Sequence, residues 1–240
     1  INHNIQRSPV RLQFLPEPDY LDFTLAKDSI CLITDDGSLT TTKLAQLLTR
    51  KGWKVIVISF PDFLLSQQAP LPESVSRIVL ENLSEYHFQE KLREIADNYG
   101  LIGACIHLHP LFQIEQSPKV RYVKEERAIV KQVFLMAKHL TKMLNQAANR
   151  GYSCFMTVAR LDGAFGLGQN KNYSAIGAGL FGLTKTLNQE WRSVFCRAID
   201  LSPTLTVEES VQSIVAELHD PNRCLTEVGY SSQGRTTLVI

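Results

Sequence analysis

Long apolar runs are missing from this chain. None approaches the roughly 20 residues that a membrane-spanning helix needs, so no membrane role is expected. Charge of one sign is missing too: 25 Lys and Arg stand against 24 Asp and Glu, a formal charge of +1. That balance leaves no field to gather nucleic acid or acidic lipid. Cysteine is sparse and odd in number, with Cys31, Cys105, Cys154, Cys196 and Cys224 widely spaced and mostly set in apolar runs. The pattern argues against a disulfide framework or a zinc cage. It suits small buried side chains in a reducing compartment, and a cytoplasmic location is expected. The opening residues INHNIQRSPV contain neither Met nor an apolar signal core, and they read as a cut inside a longer polypeptide.

What is present is an ordinary globular composition, 44% hydrophobic and 20% charged over 240 residues. Arg11 to Pro16 alternates apolar and polar residues, as an edge strand does. Short continuous apolar runs of the kind buried on both faces of a parallel sheet then recur. They cover Ser29 to Thr34, Trp53 to Ser59, Val75 to Leu80, Gly103 to Leu108, Cys154 to Ala159 and Cys196 to Leu201. Amphipathic segments alternate with them: Thr41 to Lys51, Glu85 to Tyr99, about Glu125 to Arg150, Ile176 to Trp191 and Glu208 to Glu217. Lys138, His139 and Lys142 fall on the polar face of the long third helix and are expected to be solvated. Two alternating segments, Thr226 to Tyr230 and Arg235 to Ile240, end the chain. Strict alternation of strand and helix predicts an α/β, Rossmann-like doubly wound parallel sheet with added terminal strands. Residues 1–24 are assigned to an N-terminal edge strand and linker, and residues 25–240 to the Rossmann-like domain.

Such a fold binds a dinucleotide by close backbone approach after its first strand, which is why glycines stand there. Aligned on Thr34 and Ala45, the three glycines of the short-chain dehydrogenase pattern fall on Asp35, Leu39 and Thr41. All three are lost. Two of these side chains would crowd the phosphates. The carboxylates of Asp35 and Asp36 would repel them, at ~1 kcal/mol or more per close contact. Gly37 is accounted for as a turn residue. The degenerate turn of Asp35, Asp36, Gly37, Leu39 and Thr41 is therefore expected to hold no cofactor.

The catalytic pattern is broken in the same way. Asn172 to Lys185 resembles, without gaps, the short-chain dehydrogenase string that starts at the catalytic Tyr and runs to Gly-Leu-Thr-Lys. Tyr173 occupies the Tyr position, the Lys position is Gly177 and the Ser position is Arg160. A Tyr without that ammonium keeps a pKa near ~10 and is a poor proton donor. Tyr173 is thus a vestigial position, and no catalytic residue is expected. His107 and His109 share a strand face that could suit a metal, but no third ligand stands nearby in sequence, so no metal is expected.

In order and wording, several segments resemble the structural, noncatalytic subdomain of the ketoreductase region of modular polyketide synthases. These are Ile106 to Leu111, Phe134 to Leu140, Gly182 to Trp191, Arg197 to Leu201 and Glu227 to Arg235. Arg11 to Asp19, Leu32 to Ser38, Val158 to Gly166 and Glu217 to Arg223 resemble bacterial omega-3 polyunsaturated fatty acid synthases, multidomain proteins with ketosynthase, acyltransferase, tandem acyl carriers and ketoreductase. The resemblance implies that the first strand pairs near the end of the chain. It also implies a catalytic ketoreductase subdomain of the same polypeptide as partner, with NADPH held in that adjoining half and acyl carrier domains as further partners. Two alternatives stay open. One is a self-sufficient NADPH-dependent 3-oxoacyl reductase in which Lys171 or Lys185 replaces the missing Lys, although Lys185 lies about three helical turns past Tyr173. The other is an acyl-carrier docking module.

Overall fold

The computed structural model describes residues 8–112, 123–168 and 173–240. In chain order the elements are β1 (Arg11–Phe14), β2 (Ser29–Thr34), α1 (Leu39–Arg50), β3 (Lys54–Ser59), β4 (Ser76–Val79), α2 (Glu85–Tyr99) and β5 (Leu101–Leu108). There follow α3 (Lys124–Ala148), β6 (Cys154–Ala159), α4 (Gly179–Glu190), β7 (Phe195–Leu201), α5 (Val207–Leu218), β8 (Glu227–Ser231) and β9 (Gly234–Val239). The strands form one sheet in the order β1-β9-β8-β7-β6-β5-β2-β3-β4. From β4 to β8 neighbouring strands run parallel. The order reverses between β2 and β5, and a doubly wound sheet opens its ligand crevice at that point.

The burial of β2, β6 and β7 along their whole length explains why they read as continuous apolar runs. Successive residues still divide between two layers. Ile30 and Leu32 face α2, α3 and α4, while Cys31 and Ile33 face α1 and α5. Four cysteines are buried and Cys224 is exposed. Helix starts follow the expected chemistry. Ser38 and Ser84 cap α1 and α2, and Thr206 with Glu209 closes a capping box on α5. Among the described residues no helix is long and apolar enough to cross a membrane.

Two sequence expectations need correction. The fourth helix begins at Gly179 rather than Ile176. The amide of Gly177 is drawn away to the Glu126 carboxylate at 3.1 Å, so the turn before α4 is shaped by a contact from α3. Of the basic residues of α3, Lys138 and Lys142 are exposed as expected, whereas the His139 side chain is largely covered; His139 (2.8 Å) and Lys138 (2.7 Å) both meet Glu85 of α2. This contact ties two neighbouring helices together.

The chain's two ends meet beside β8. β9 lies antiparallel between β8 and β1, with Phe14 opposite Thr236 and Arg11 opposite Val239. A buried charge network fastens this corner. Arg197 of β7, with a fully buried side chain, lies 2.8 Å from Glu217 and 3.3 Å from Asp220. Arg235 of β9 reaches the same two carboxylates at 2.7 Å each. It also donates to the Pro16 carbonyl at 3.1 Å, and the Tyr230 hydroxyl donates to Glu217 at 2.7 Å. Two cations and two anions balance, which lets the group stay charged out of water. Removing Glu217 leaves two guanidiniums sharing one carboxylate. Glu217→Ala is therefore expected to lower unfolding free energy by about 3–5 kcal/mol, read from urea denaturation. A loss below ~1 kcal/mol would show that the network does not hold this corner.

Candidate functional site

The crevice opens where β2, β5, β6 and β7 end. The first turn after β2 is held by its own side chains. Asp36 accepts from the Ser38 amide at 3.0 Å and hydroxyl, and from the Thr41 hydroxyl at 2.7 Å. The Ser38 hydroxyl in turn caps the Thr40 amide at 3.1 Å. A carboxylate thus already sits on the positive end of α1, the place a phosphate takes in a nucleotide-binding fold. Asp35 points the other way and is fully buried. It accepts from the Gly37 amide (2.8 Å) and Ser59 hydroxyl (3.1 Å) and is paired with Arg77 of β4. Arg77 also donates to the Ala69 carbonyl, which anchors the segment after β3 across the turn. Gly37 has φ +77°, and a Cβ there would stand 2.9 Å from the Gln67 carbonyl oxygen. Glycine is needed at 37 for both reasons. Leu39 by contrast is 52% exposed.

Arg160 leaves the end of β6 and spans two helices. Its guanidinium donates to Thr40 of α1 (3.0 Å) and to Ser210 of α5 (3.3 Å). Burial pushes this group below its ordinary pKa, opposed by the charge of Asp36. A cleft of about 420 Å³ lies against Arg160, bordered by the turn after β2 and by the loops after β3, β5 and β7.

Tyr173 and Gly177 sit deeper along the same edge. The Tyr173 hydroxyl donates to the Gly166 carbonyl at 2.9 Å. Burial, then the charges of Asp162 and Asp200, raise its pKa above the ordinary value. A Cβ on Gly177 would approach His109 Cδ2 at 3.3 Å and Glu126 Oε1 at 3.5 Å. The space beside position 177 therefore belongs to His109 and Glu126. Lys185 pairs with Glu227 at 3.0 Å, and Lys171 lies outside the described residues.

One polar run here was only half visible in the sequence. Thr34 Oγ1 lies 2.8 Å from His107 Nδ1, His107 Nε2 lies 3.2 Å from His109 Nδ1, and His109 Nε2 lies 3.2 Å from Glu126 Oε1. Ser174 donates to the other oxygen of Glu126. Burial, then His109, push the His107 pKa well below its ordinary value. Each ring can donate from Nε2 to the next group, and the run ends on Glu126. The His-x-His spacing signalled two rings; nothing nearby in sequence marked Glu126 as their partner. No group of three or more His, Cys, Asp or Glu among the described residues could hold a metal ion.

Comparison with solved structures clarifies the architecture. A 3-ketoacyl-(acyl-carrier-protein) reductase from Brucella melitensis, solved with NADH, superposes with a TM-score of 0.66 at 15% identity, covering 82% of this chain and 93% of that one. A short chain dehydrogenase from Leptospira borgpetersenii, with bound NAD+, gives 0.61 at 12% identity over 85% of this chain and 91% of that one. The fold is that of the short-chain dehydrogenases. In sequence, the chain is similar to one of the polyunsaturated fatty acid synthase proteins of Thraustochytrium sp., at 27% identity over 229 residues. The match covers 92% of this chain, which spans 8% of the length of that curated relative. No family model matches.

The buried imidazole sets a pH dependence. An unfolded His titrates near ~6.5, whereas folded His107 titrates well below that value. The unfolded chain therefore binds the extra proton, and stability must fall as pH drops below ~6.5, by up to ~1.4 kcal/mol per pH unit for this group. Burial lifts the Asp200 carboxyl to about 6. Its raised value works in the opposite sense, adding stability as pH falls from about 6 toward ~4. Urea midpoints between pH 7.5 and pH 6 are expected to decline, with a shallower slope in His107→Asn. An unchanged slope in the variant would contradict a neutral buried His107.

Proposed function

We propose that this chain is a noncatalytic, structural ketoreductase subdomain of a polyunsaturated fatty acid or polyketide synthase. It would support a neighbouring catalytic subdomain that reduces 3-oxoacyl groups on carrier proteins with NADPH. The observation that carries this reading is the Asp36 carboxylate on the amino end of α1, hydrogen-bonded to Ser38 and Thr41. A pyrophosphate entering that turn would meet a like charge, with the Ser38 and Thr40 amides already engaged. Asp35, paired with Arg77, and the segment carrying Gln67 over Gly37 close the turn from the other side. The residues present do not fit a dinucleotide.

The chemistry of the deeper positions supports the same reading. Ketone reduction by a Tyr acid needs a neighbouring cation that lowers the phenol pKa. Tyr173 has its pKa raised, and His109 and Glu126 crowd position 177. Similarity to a polyunsaturated fatty acid synthase over nearly the whole chain supports a role within a multidomain synthase. The adjoining catalytic ketoreductase subdomain is the proposed partner, NADPH its cofactor, and the cytoplasm its location.

The reading is tested by following NADPH oxidation with a 3-oxoacyl thioester. The 240-residue chain is expected to show no turnover above the uncatalysed rate, and Tyr173→Phe no change. Turnover by the chain that is abolished in Tyr173→Phe would replace this proposal with a self-sufficient reductase.

A further inference from the structure

The cleft beside Arg160 has walls of two kinds. Its polar lining includes Arg160, Thr40 and the Asp36 turn; its apolar lining includes Leu65, Pro110, Leu111, Leu205 and Val207. At about 420 Å³ it lies within the size range of small-molecule sites. Leu111 leaves 54% of its surface exposed at the rim, so part of the apolar wall is open to an incoming group. Among the described residues, the hydrogen-bond partners of Arg160 are the neutral hydroxyls of Thr40 and Ser210. A guanidinium has five N–H donors in a planar fork, and these two bonds use only part of that capacity.

These walls define a ligand class. A single carboxylate suits the unused part of the fork and adds the least charge to a cleft in which Asp36 already acts on Arg160. A doubly charged phosphate would bring its second charge toward Asp36, whose own acceptor positions already serve Ser38 and Thr41. The leucine, proline and valine wall then favours an apolar tail on that carboxylate. We propose that the crevice is a binding site for a small monocarboxylate with an apolar tail, the head on Arg160 and the tail along Leu111 and Leu205. The site lies where the fold family places its dinucleotide, but its chemistry differs, and the proposal goes beyond a purely structural role for the domain.

Sodium octanoate is the probe, titrated into the 240-residue chain while amide shifts are followed by two-dimensional NMR. Saturable shifts are expected at Thr40, Arg160 and Leu205. From butanoate to octanoate the affinity is expected to rise about three- to fourfold per methylene. Arg160→Gln is expected to weaken octanoate at least tenfold. Because Arg160 also bridges α1 and α5, Leu111→Ser supplies a second variant at an exposed side chain, expected to flatten the dependence on tail length. Inorganic phosphate is expected to leave the same amides unmoved.

No octanoate shifts at these positions, equal affinity in Arg160→Gln, or phosphate binding that displaces octanoate would each overturn the site. Failure of octanoate leaves the structural role standing. Saturable NADPH binding with shifts at these same amides would overturn both readings, because it returns the crevice to a dinucleotide.

Discussion

The amino end of a helix at the carboxyl edge of a parallel sheet wants a negative partner. In this chain Asp36 provides it from the adjoining turn. The arrangement of the crevice follows from that one interaction. Thr41 is buried because its hydroxyl donates to Asp36 and accepts from the Asp36 amide at 3.1 Å. Arg160 lies within the electrostatic reach of the same carboxylate while it bridges α1 and α5. With the turn satisfied internally, Asp35 is released to pair with Arg77 and draw the segment after β3 over Gly37.

The deeper half of the edge shows the same substitution of internal partners for external ones. Glu126 accepts from the Gly177 amide, from Ser174 and from the histidine run that starts at Thr34. Buried polar groups are costly when unpaired, and Glu126, His107, His109, Ser174 and the Gly177 amide each find a neighbour in the chain. At the opposite corner Arg197, Glu217, Asp220 and Arg235 do for the terminal strands what Asp36 does for α1. Their mutual pairing binds β7, α5 and β9, with Pro16 from the start of the chain.

The fold was legible because parallel strands buried on both faces must be apolar throughout. Ser29 to Thr34, Cys154 to Ala159 and Glu85 to Tyr99 match their elements residue for residue. The start of α4 was not legible, since the group that takes the Gly177 amide comes from Glu126 on another helix. Loss of the glycines at Asp35, Leu39 and Thr41 could be read from spacing, but the physical roles of these residues could not. Leu39 stands exposed, whereas Asp36 and the Gln67 segment close the turn. Arg197 sits in the strand FCRAIDL, where period alone gives no hint that a charge can be buried. Its partners Glu217 and Asp220 lie on and just after a later helix, and only tertiary packing brings them together.

The central claim is that the chain's own carboxylate has taken the place of a cofactor's phosphate. Calorimetric titration of the 240-residue chain with NADPH tests it most directly. The account predicts no saturable heat at millimolar NADPH. Binding in the micromolar range, abolished by Thr40→Glu at the amino end of α1, would contradict it.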